Sequence, residues 1–180
     1  MKSLSNNKLF IISLTLPIIL LLSMTVKPLI TIYFGETVKL QTVPFDPRDL
    51  FYGDYVDLDF EAENIPINIV ENSLRKTLDN NTSGSYSRDD LKVYVVLEQN
   101  NITGVHDVIS VSAKKPKSGT YIKGISSPYI HENKLTVSIP IEKYYLAENT
   151  GTQLEEASSK GQLIATIKVY NGYSILRSVE

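Results

Sequence analysis

Residues 44–60 read PFDPRDLFYGDYVDLDF. This stretch combines a charged turn that contains proline, a single glycine, and a segment in which apolar and acidic residues alternate. Val56, Leu58 and Phe60 share one face of that segment, because successive side chains of an extended chain point to opposite sides. A period of two is typical of a half-buried strand. The stretch therefore predicts a β-sheet domain, with a turn at 46–49 that leads into one of its strands.

The same alternation recurs on both sides of this stretch. Predicted strands cover residues 29–34, 37–43, 91–99, 105–113, 120–125, 135–141, 162–170 and 173–179. Asn171-Gly172 joins the last two of these strands and is a strong signal for a tight hairpin. Strands of period two separated by short turns predict a mainly β fold, an antiparallel sandwich or open barrel.

One or two short helices accompany the strands. Apolar residues recur at helical spacing between Ile67 and Leu78, which predicts a short amphipathic helix there. A second short helical segment is predicted at 154–159. Residues 79–90 (DNNTSGSYSRDD) are polar and rich in turn formers, which predicts a flexible surface loop within one domain.

The N-terminal region predicts a membrane anchor. Leu9–Val26 contains no charged residue, and its eighteen residues reach about 27 Å as a helix, close to the thickness of a bilayer core. Lys2 and Lys8 precede it, so the N-terminus is expected inside and the following domain outside the plasma membrane. We therefore predict a cytoplasmic tail and anchor at 1–28 and an extracytoplasmic β-rich domain at 29–180. A cleaved signal peptide is the alternative, but no small-residue cleavage site follows the apolar run.

Composition excludes several classes of function. The chain has no cysteine, which excludes disulfides, thiolate catalysis and cysteine-ligated zinc. Residues 28–180 contain 15 basic and 20 acidic residues, so the domain has no electrostatic reason to approach nucleic acid or an anionic lipid surface. His106 and His131 lack the spacing of a zinc site. We predict no cofactor, no metal and no catalytic residue.

Two groups of residues are candidates for binding. Arg48, Asp49, Gly53, Asp54 and Tyr55 form the first group. These residues either line a binding cleft or stabilise the turn. In the turn, carboxylates accept hydrogen bonds from backbone N–H groups and glycine permits a positive φ. The second group is Glu142, Tyr145 and Glu148. An aromatic platform beside two carboxylates suits a sugar or peptide cleft, and such a pair performs glycoside chemistry only at a suitable separation.

The alternating acidic residues allow one further interpretation. Asp57, Asp59 and Glu61 share a strand face with Tyr55, and carboxylate oxygens are ligands that Ca²⁺ accepts. The chain has no EF-hand loop, so a solvated strand face is the simpler interpretation.

Gly53–Phe60 (GDYVDLDF) resembles the motif after which the GDYXXLXY protein family is named. Further segments resemble that family in sequence order: Asp46–Leu50, Tyr94–Glu98, Gly104–His106, Lys115–Pro116, Tyr121–Gly124, Glu142–Glu148, Gly151 and Glu155. Phe60 departs from the tyrosine in the family's name, which favours a packing role at that position. The resemblance implies a bacterial, membrane-anchored protein of unassigned activity, encoded near polytopic membrane proteins.

Three hypotheses follow for the function. The first is an accessory or interaction module in the cell envelope, anchored in the bilayer through residues 9–26 and binding a polytopic membrane protein. The second is an extracytoplasmic hydrolase that acts on cell-wall glycan or peptide through Glu142, Glu148 and the acidic residues of the Gly53–Phe60 motif. The third is a sensor of a small ligand or Ca²⁺. The absence of a recognisable nucleophile or metal-binding motif favours the first hypothesis over an enzyme.

Overall fold

The computed structural model describes residues 6–43, 55–56, 58–84, 90–141, 144–145 and 163–180. Within these ranges the helices are α1 (Asn6–Phe34) and α2 (Asn72–Gly84). The strands are β1 (Glu36–Gln41), β2 (Tyr55–Val56), β3 (Asn64–Pro66), β4 (Leu91–Gln99), β5 (His106–Ser112), β6 (Thr120–His131), β7 (Lys134–Ser138), β8 (Tyr144–Tyr145), β9 (Ile164–Tyr170) and β10 (Tyr173–Val179). Short 3₁₀ turns cover Glu61–Glu63 and Ile67–Ile69.

The strands form antiparallel sheets that nearly close into a barrel. Five strands lie in the order β3-β7-β6-β4-β5, three in the order β1-β9-β10, and β2 pairs with β8. The turn between β9 and β10 reaches the five-stranded sheet, where Gly172 forms a bridge with Ile122 of β6. This arrangement confirms the predicted mainly β fold, an antiparallel sandwich or open barrel with an apolar N-terminal helix.

The alternating residues of the strands supply the core. Val93, Val95 and Leu97 of β4 are buried, as are Ala165, Ile167 and Val169 of β9, because every second side chain of each strand faces inward. Helix α2 covers this core with Leu74 and Leu78, two of the residues whose spacing predicted a helix. The helix continues to Gly84, so residues 79–84 of the stretch predicted as a loop are helical.

The strand predicted for residues 29–34 is wrong, because helix α1 continues through it to Phe34. β-branched and aromatic residues favour strands only weakly, whereas extending a helix that has already formed avoids the cost of a new nucleus. Thr31 is buried against the domain, and its hydroxyl donates to the Lys27 carbonyl at 3.0 Å. The strand begins after Gly35 instead, as β1. The strand predicted at 37–43 is therefore confirmed over Thr37–Gln41.

The alternating segment at 56–60 is a strand only at its start. β2 ends at Val56, and Phe60 forms a single bridge with Thr42 before the chain turns into a 3₁₀ helix. The predicted inside and outside positions hold at residues 58–60, whereas the side chains of Val56 and Asp57 lie outside the described part of the chain. Phe60 is buried and Leu58 packs against the core, whereas Asp59 is exposed. Phe60 therefore has a packing role.

The hairpin at Asn171-Gly172 is confirmed, with φ of 55° and 79° at its two residues. Both values are positive, as a two-residue turn that follows the twist of the strands requires. Space is also restricted here, because a Cβ at Gly172 would lie 2.7 Å from Cε2 of Tyr121 and 2.9 Å from Cγ of Lys123. Gly172 therefore permits both the turn and the close contact with β6.

We predict that Gly172→Ala destabilises the protein by about 2–4 kcal/mol, through backbone strain and overlap with the Tyr121 ring. Gly104→Ala is the matched control, because Gly104 has φ of 72° and open space around its Cα. It should cost about 1 kcal/mol. Chemical unfolding of the full chain in detergent micelles, followed by circular dichroism, measures both losses. Equal losses would contradict the packing role of Gly172.

Candidate functional site

A cleft of about 450 Å³ lies where the five-stranded sheet fails to close. Its walls include both edge strands of that sheet, β3 and β5. At one end the gap between the edges is bridged, because Val70 pairs with Val111 and the N–H of Glu71 donates to the Val111 carbonyl at 2.9 Å. The cleft occupies the other end, beside residues 105–108. Its polar lining residues are Gln41, Glu61, Asn64, Asn68, His106 and Asp107.

His106 is the first residue of β5 and connects the two larger sheets. Its Nδ1 accepts the backbone N–H of Lys39 in β1 at 3.2 Å, so Nδ1 carries no proton and Nε2 is the donor of the neutral ring. Burial lowers the pKa of His106 below its ordinary value of 6.5, and the carboxylates of Asp107 and Glu36 oppose that shift. A neutral imidazole therefore lines the cleft at pH 7 and offers one N–H group.

The remaining polar groups of the cleft are mostly acceptors and amides. Asp107 is held in place by Asn100, whose Nδ2 donates to Asp107 Oδ2 at 3.0 Å. Glu61 and Asn68 are exposed. Edge strands also present a row of backbone N–H and C=O groups that their single neighbour does not use. The cleft thus offers amide and carboxylate side chains together with the backbone groups of two edge strands. An extended peptide could form hydrogen bonds with both kinds of group.

Residues 42–43 meet residues 59–60, the end of the Gly53–Phe60 motif, beside this cleft. The N–H of Val43 donates to the Asp59 carbonyl at 2.8 Å, and Thr42 pairs with Phe60. These contacts hold the two ends of the segment side by side. Their chain neighbours Gln41 and Glu61 line the cleft, so the motif segment begins and ends at its rim.

The C-terminal segment between β7 and β9 is attached at the same place. The Leu163 carbonyl accepts three hydrogen bonds, from Thr42 N (3.1 Å), Thr42 Oγ1 (2.9 Å) and Gln41 Nε2 (3.2 Å). The Glu63 carboxylate accepts the backbone N–H groups of Phe60 (3.2 Å) and Ile139 (2.8 Å). These bonds form one network that connects the residues at which both segments are attached to the barrel.

The pair β2–β8 joins the two segments a second time. Tyr55 lies opposite Tyr145 in this short ladder, and Val56 lies opposite Tyr144. One residue from each predicted binding group is therefore brought to the same place by the backbone. The other predicted binding residues lie outside the described ranges: Arg48, Asp49, Gly53, Asp54, Glu142 and Glu148.

Sequence reasoning missed the polar residues that hold this region together. Glu63 follows Phe60 by three residues, a spacing at which a carboxylate returns to cap a backbone N–H, and that spacing was the available signal. Thr42 and His106 have no local signal, since their partners Leu163 and Lys39 are distant in the chain. Within the described ranges, no three His, Asp or Glu side chains converge on a point that a metal ion could occupy.

The fold and the cleft define a small, nearly closed antiparallel barrel attached to an apolar helix long enough to cross a membrane. The chain belongs to the GDYXXLXY protein family, whose model matches residues 17–179. The match begins within α1 and includes both segments that border the cleft, as well as the C-terminal hairpin. No match was found among curated proteins or among solved structures.

The buried position of His106 predicts a pH dependence of stability. The unfolded chain binds a proton at this histidine near pH 6.5, whereas the folded chain binds it only at lower pH. Between these two pKa values the unfolded state binds more protons, so stability rises with pH. We expect the free energy of unfolding to be fully present above pH 6.5 and to fall as the pH drops below that value.

Thermal unfolding of the full chain in micelles between about pH 5.5 and about pH 8, a range that includes the ordinary histidine pKa, measures this slope. His106→Asn keeps an acceptor near the Lys39 N–H and removes the titration, so the slope should flatten. His131→Asn is the control, because His131 is an exposed residue at the C-terminal end of β6 and does not line the cleft. An unchanged slope in His106→Asn would show that other groups cause it.

Proposed function

We propose that this protein is a single-pass interaction module of the cell envelope, with its N-terminus inside and residues 29–180 outside the plasma membrane. In this proposal the cleft between β3 and β5 binds an extended segment of a polytopic membrane protein. The observation that carries the proposal is the presence of two sheet edges on one cleft. An added strand satisfies such edges through backbone hydrogen bonds, while side-chain contacts supply the specificity.

The lining of the cleft supports a peptide-like occupant. His106 offers a donor through Nε2, whereas Asp107 and Glu61 offer acceptors, and amides such as Asn68 do both. An extended peptide presents donors and acceptors alternately along each of its sides. The cleft therefore suits an extended chain better than an ion of one charge.

The described ends of the motif segment and of the C-terminal segment lie next to this proposed surface. Their ends are joined through Thr42, Glu63 and the Leu163 carbonyl, so a partner in the cleft would contact both. We propose that Tyr55 and Tyr145, together with the other predicted binding residues of these segments, complete the binding surface. The hydrolase hypothesis depends on Glu142 and Glu148, and it stays a prediction, as does the ligand or Ca²⁺ sensor.

Photo-crosslinking in intact membranes tests the proposal. A photoreactive residue is placed at position 68 or 107 in the cleft, and at position 92 on the exposed outer face of β4 as the control. Mass spectrometry should identify the same polytopic membrane protein from both cleft positions and not from position 92. Crosslinks that are equal at all three positions, or that contain no protein partner, would contradict binding in the cleft.

Asn68→Arg is expected to lower the amount of co-purified partner by about tenfold, the effect of losing about 1.4 kcal/mol of binding free energy. The substitution places a long charged side chain at the rim of the cleft without removing a core residue. Ser118→Arg, at an exposed loop position outside the cleft lining, is the control and should leave co-purification unchanged. A tenfold loss in both variants would indicate a general effect of charge.

A further inference from the structure

Helix α1 does not end at the predicted edge of the membrane but packs onto the domain. Pro28, Ile30 and Ile32 are partly covered and Thr31 is fully buried, whereas Leu29, Tyr33 and Phe34 stay exposed. Nζ of Lys27 lies 3.9 Å from the centre of the Tyr173 ring in β10, and Nζ of Lys168 donates to the Gly35 carbonyl at 3.1 Å. These contacts join the helix and the β9–β10 hairpin into one packed unit.

A second cavity, of about 370 Å³, lies in this joint between α1 and the hairpin turn. Ser23, Val26, Lys27 and Ile30 of the helix form one wall, and Lys123, Tyr170 and Asn171 form the other. The described lining residues thus include two lysines and no carboxylate. This is unexpected for a domain in which acidic residues outnumber basic ones by 20 to 15 after residue 27.

A third lysine stands at the rim of this cavity. Nζ of Lys115 donates to Asn171 Oδ1 at 2.7 Å, and the Tyr121 hydroxyl donates to the same oxygen at 2.8 Å. The hairpin turn therefore holds Lys115 near Lys123. Lysines therefore surround this face of the turn, whereas the Glu36 carboxylate lines the neighbouring pocket that Tyr170 and Asn171 also border. The charges within a few ångströms are what an anion at the cavity experiences.

The position of the cavity along α1 suits the surface of a membrane that this helix would cross. Every side chain of the helix from Phe10 to Lys27 is exposed, over a length of about 26 Å that is close to the thickness of a bilayer core, and the stretch apolar enough to cross a membrane continues to Phe34. Strands cannot enter that core with open edges, so a bilayer around this helix would end where the hairpin contacts Lys27. The cavity therefore has an apolar wall at the level of lipid chains and cationic groups at the level of headgroups, with Tyr170 half exposed at this boundary.

We propose that this cavity binds the phosphate of an anionic phospholipid from the outer leaflet, with an acyl chain along Val26 and Ile30. Lys27 and Lys123 attract the phosphate, and Asn171 lies between them and Lys115. The proposal rests on the topology given under Proposed function, in which α1 crosses the bilayer and the domain lies outside. A bound lipid would hold the barrel at a fixed depth and orientation on the membrane.

The test uses the full chain in nanodiscs that contain phosphatidylglycerol and phosphatidylcholine in equal amounts. Native mass spectrometry of the released protein counts the two lipids that stay bound. Each lysine near a membrane surface changes the affinity for anionic lipid about fivefold. The wild-type chain should retain phosphatidylglycerol in preference to phosphatidylcholine by at least that factor.

Lys123→Gln should lower this preference about fivefold, and Lys123→Arg should preserve it. Lys123 is exposed and outside the core, so both variants are expected to fold. Lys134→Gln, at an exposed lysine of β7 that does not line the cavity, is the matched control and should behave as wild type. Equal retention of the two lipids by the wild-type chain, or an equal effect of Lys134→Gln and Lys123→Gln, would overturn the proposal.

Two further measurements separate the possible failures. Millimolar inorganic phosphate added to the nanodiscs should leave the lipid preference intact. Full displacement of the lipid by phosphate would instead assign the site to a soluble anion and overturn the proposed phospholipid site. Carbonate extraction of native membranes should leave the protein in the membrane. Extraction of the protein by carbonate would contradict both the proposed membrane topology and the lipid site. A protein that stays in the membrane but shows no lipid preference would contradict the lipid site alone.

Discussion

Incomplete closure of the five-stranded sheet is the constraint on which the architecture depends. The sheet curls until its edge strands β3 and β5 border one cleft, and Val70 and Glu71 connect across one end of the gap to Val111. Full closure would have used the backbone groups of both edges and left a barrel with no groove. The open gap instead leaves a cleft with six polar residues in its lining.

Polar contacts, and not the apolar core, organise the region around that cleft. The Glu63 carboxylate bonds to backbone groups on two parts of the chain, and the Leu163 carbonyl accepts donors from Gln41 and Thr42. Such contacts contribute modestly to net stability, but leaving one of their buried groups without a partner is costly. They therefore specify where the two long segments start and end more strongly than they stabilise the whole domain.

The joint between α1 and the C-terminal hairpin is the second organising feature. A helix that crosses a membrane usually leads into a domain through a linker, and a linker allows the domain to reorient. Here Gly35 alone separates α1 from β1, and the last turns of α1 pack against β9 and β10. The packing of α1 against β9 and β10 therefore fixes the orientation of the barrel relative to the helix.

Much of this arrangement was predictable from local patterns. The apolar run indicated a helix that can cross a membrane, and the alternation of residues 91–99 predicted β4 at its observed bounds. Asn171-Gly172 predicted the hairpin, since positive φ at both residues is a local requirement. The prediction failed at 29–34, where strand propensity competed with a helix already formed and with burial of Thr31.

The cleft and the joint have no such local signature. His106 bonds to Lys39, and Thr42 bonds to Leu163, across separations of 67 and 121 residues. Tyr55 and Tyr145 were each candidates for binding, but only strand pairing places them opposite each other. Periodicity, turn chemistry and hydrophobic length are properties of neighbouring residues, so the amino-acid sequence establishes them directly. Which edges stay open and which distant polar groups meet depends on how the whole chain closes around its core, and the folded structure alone settles that.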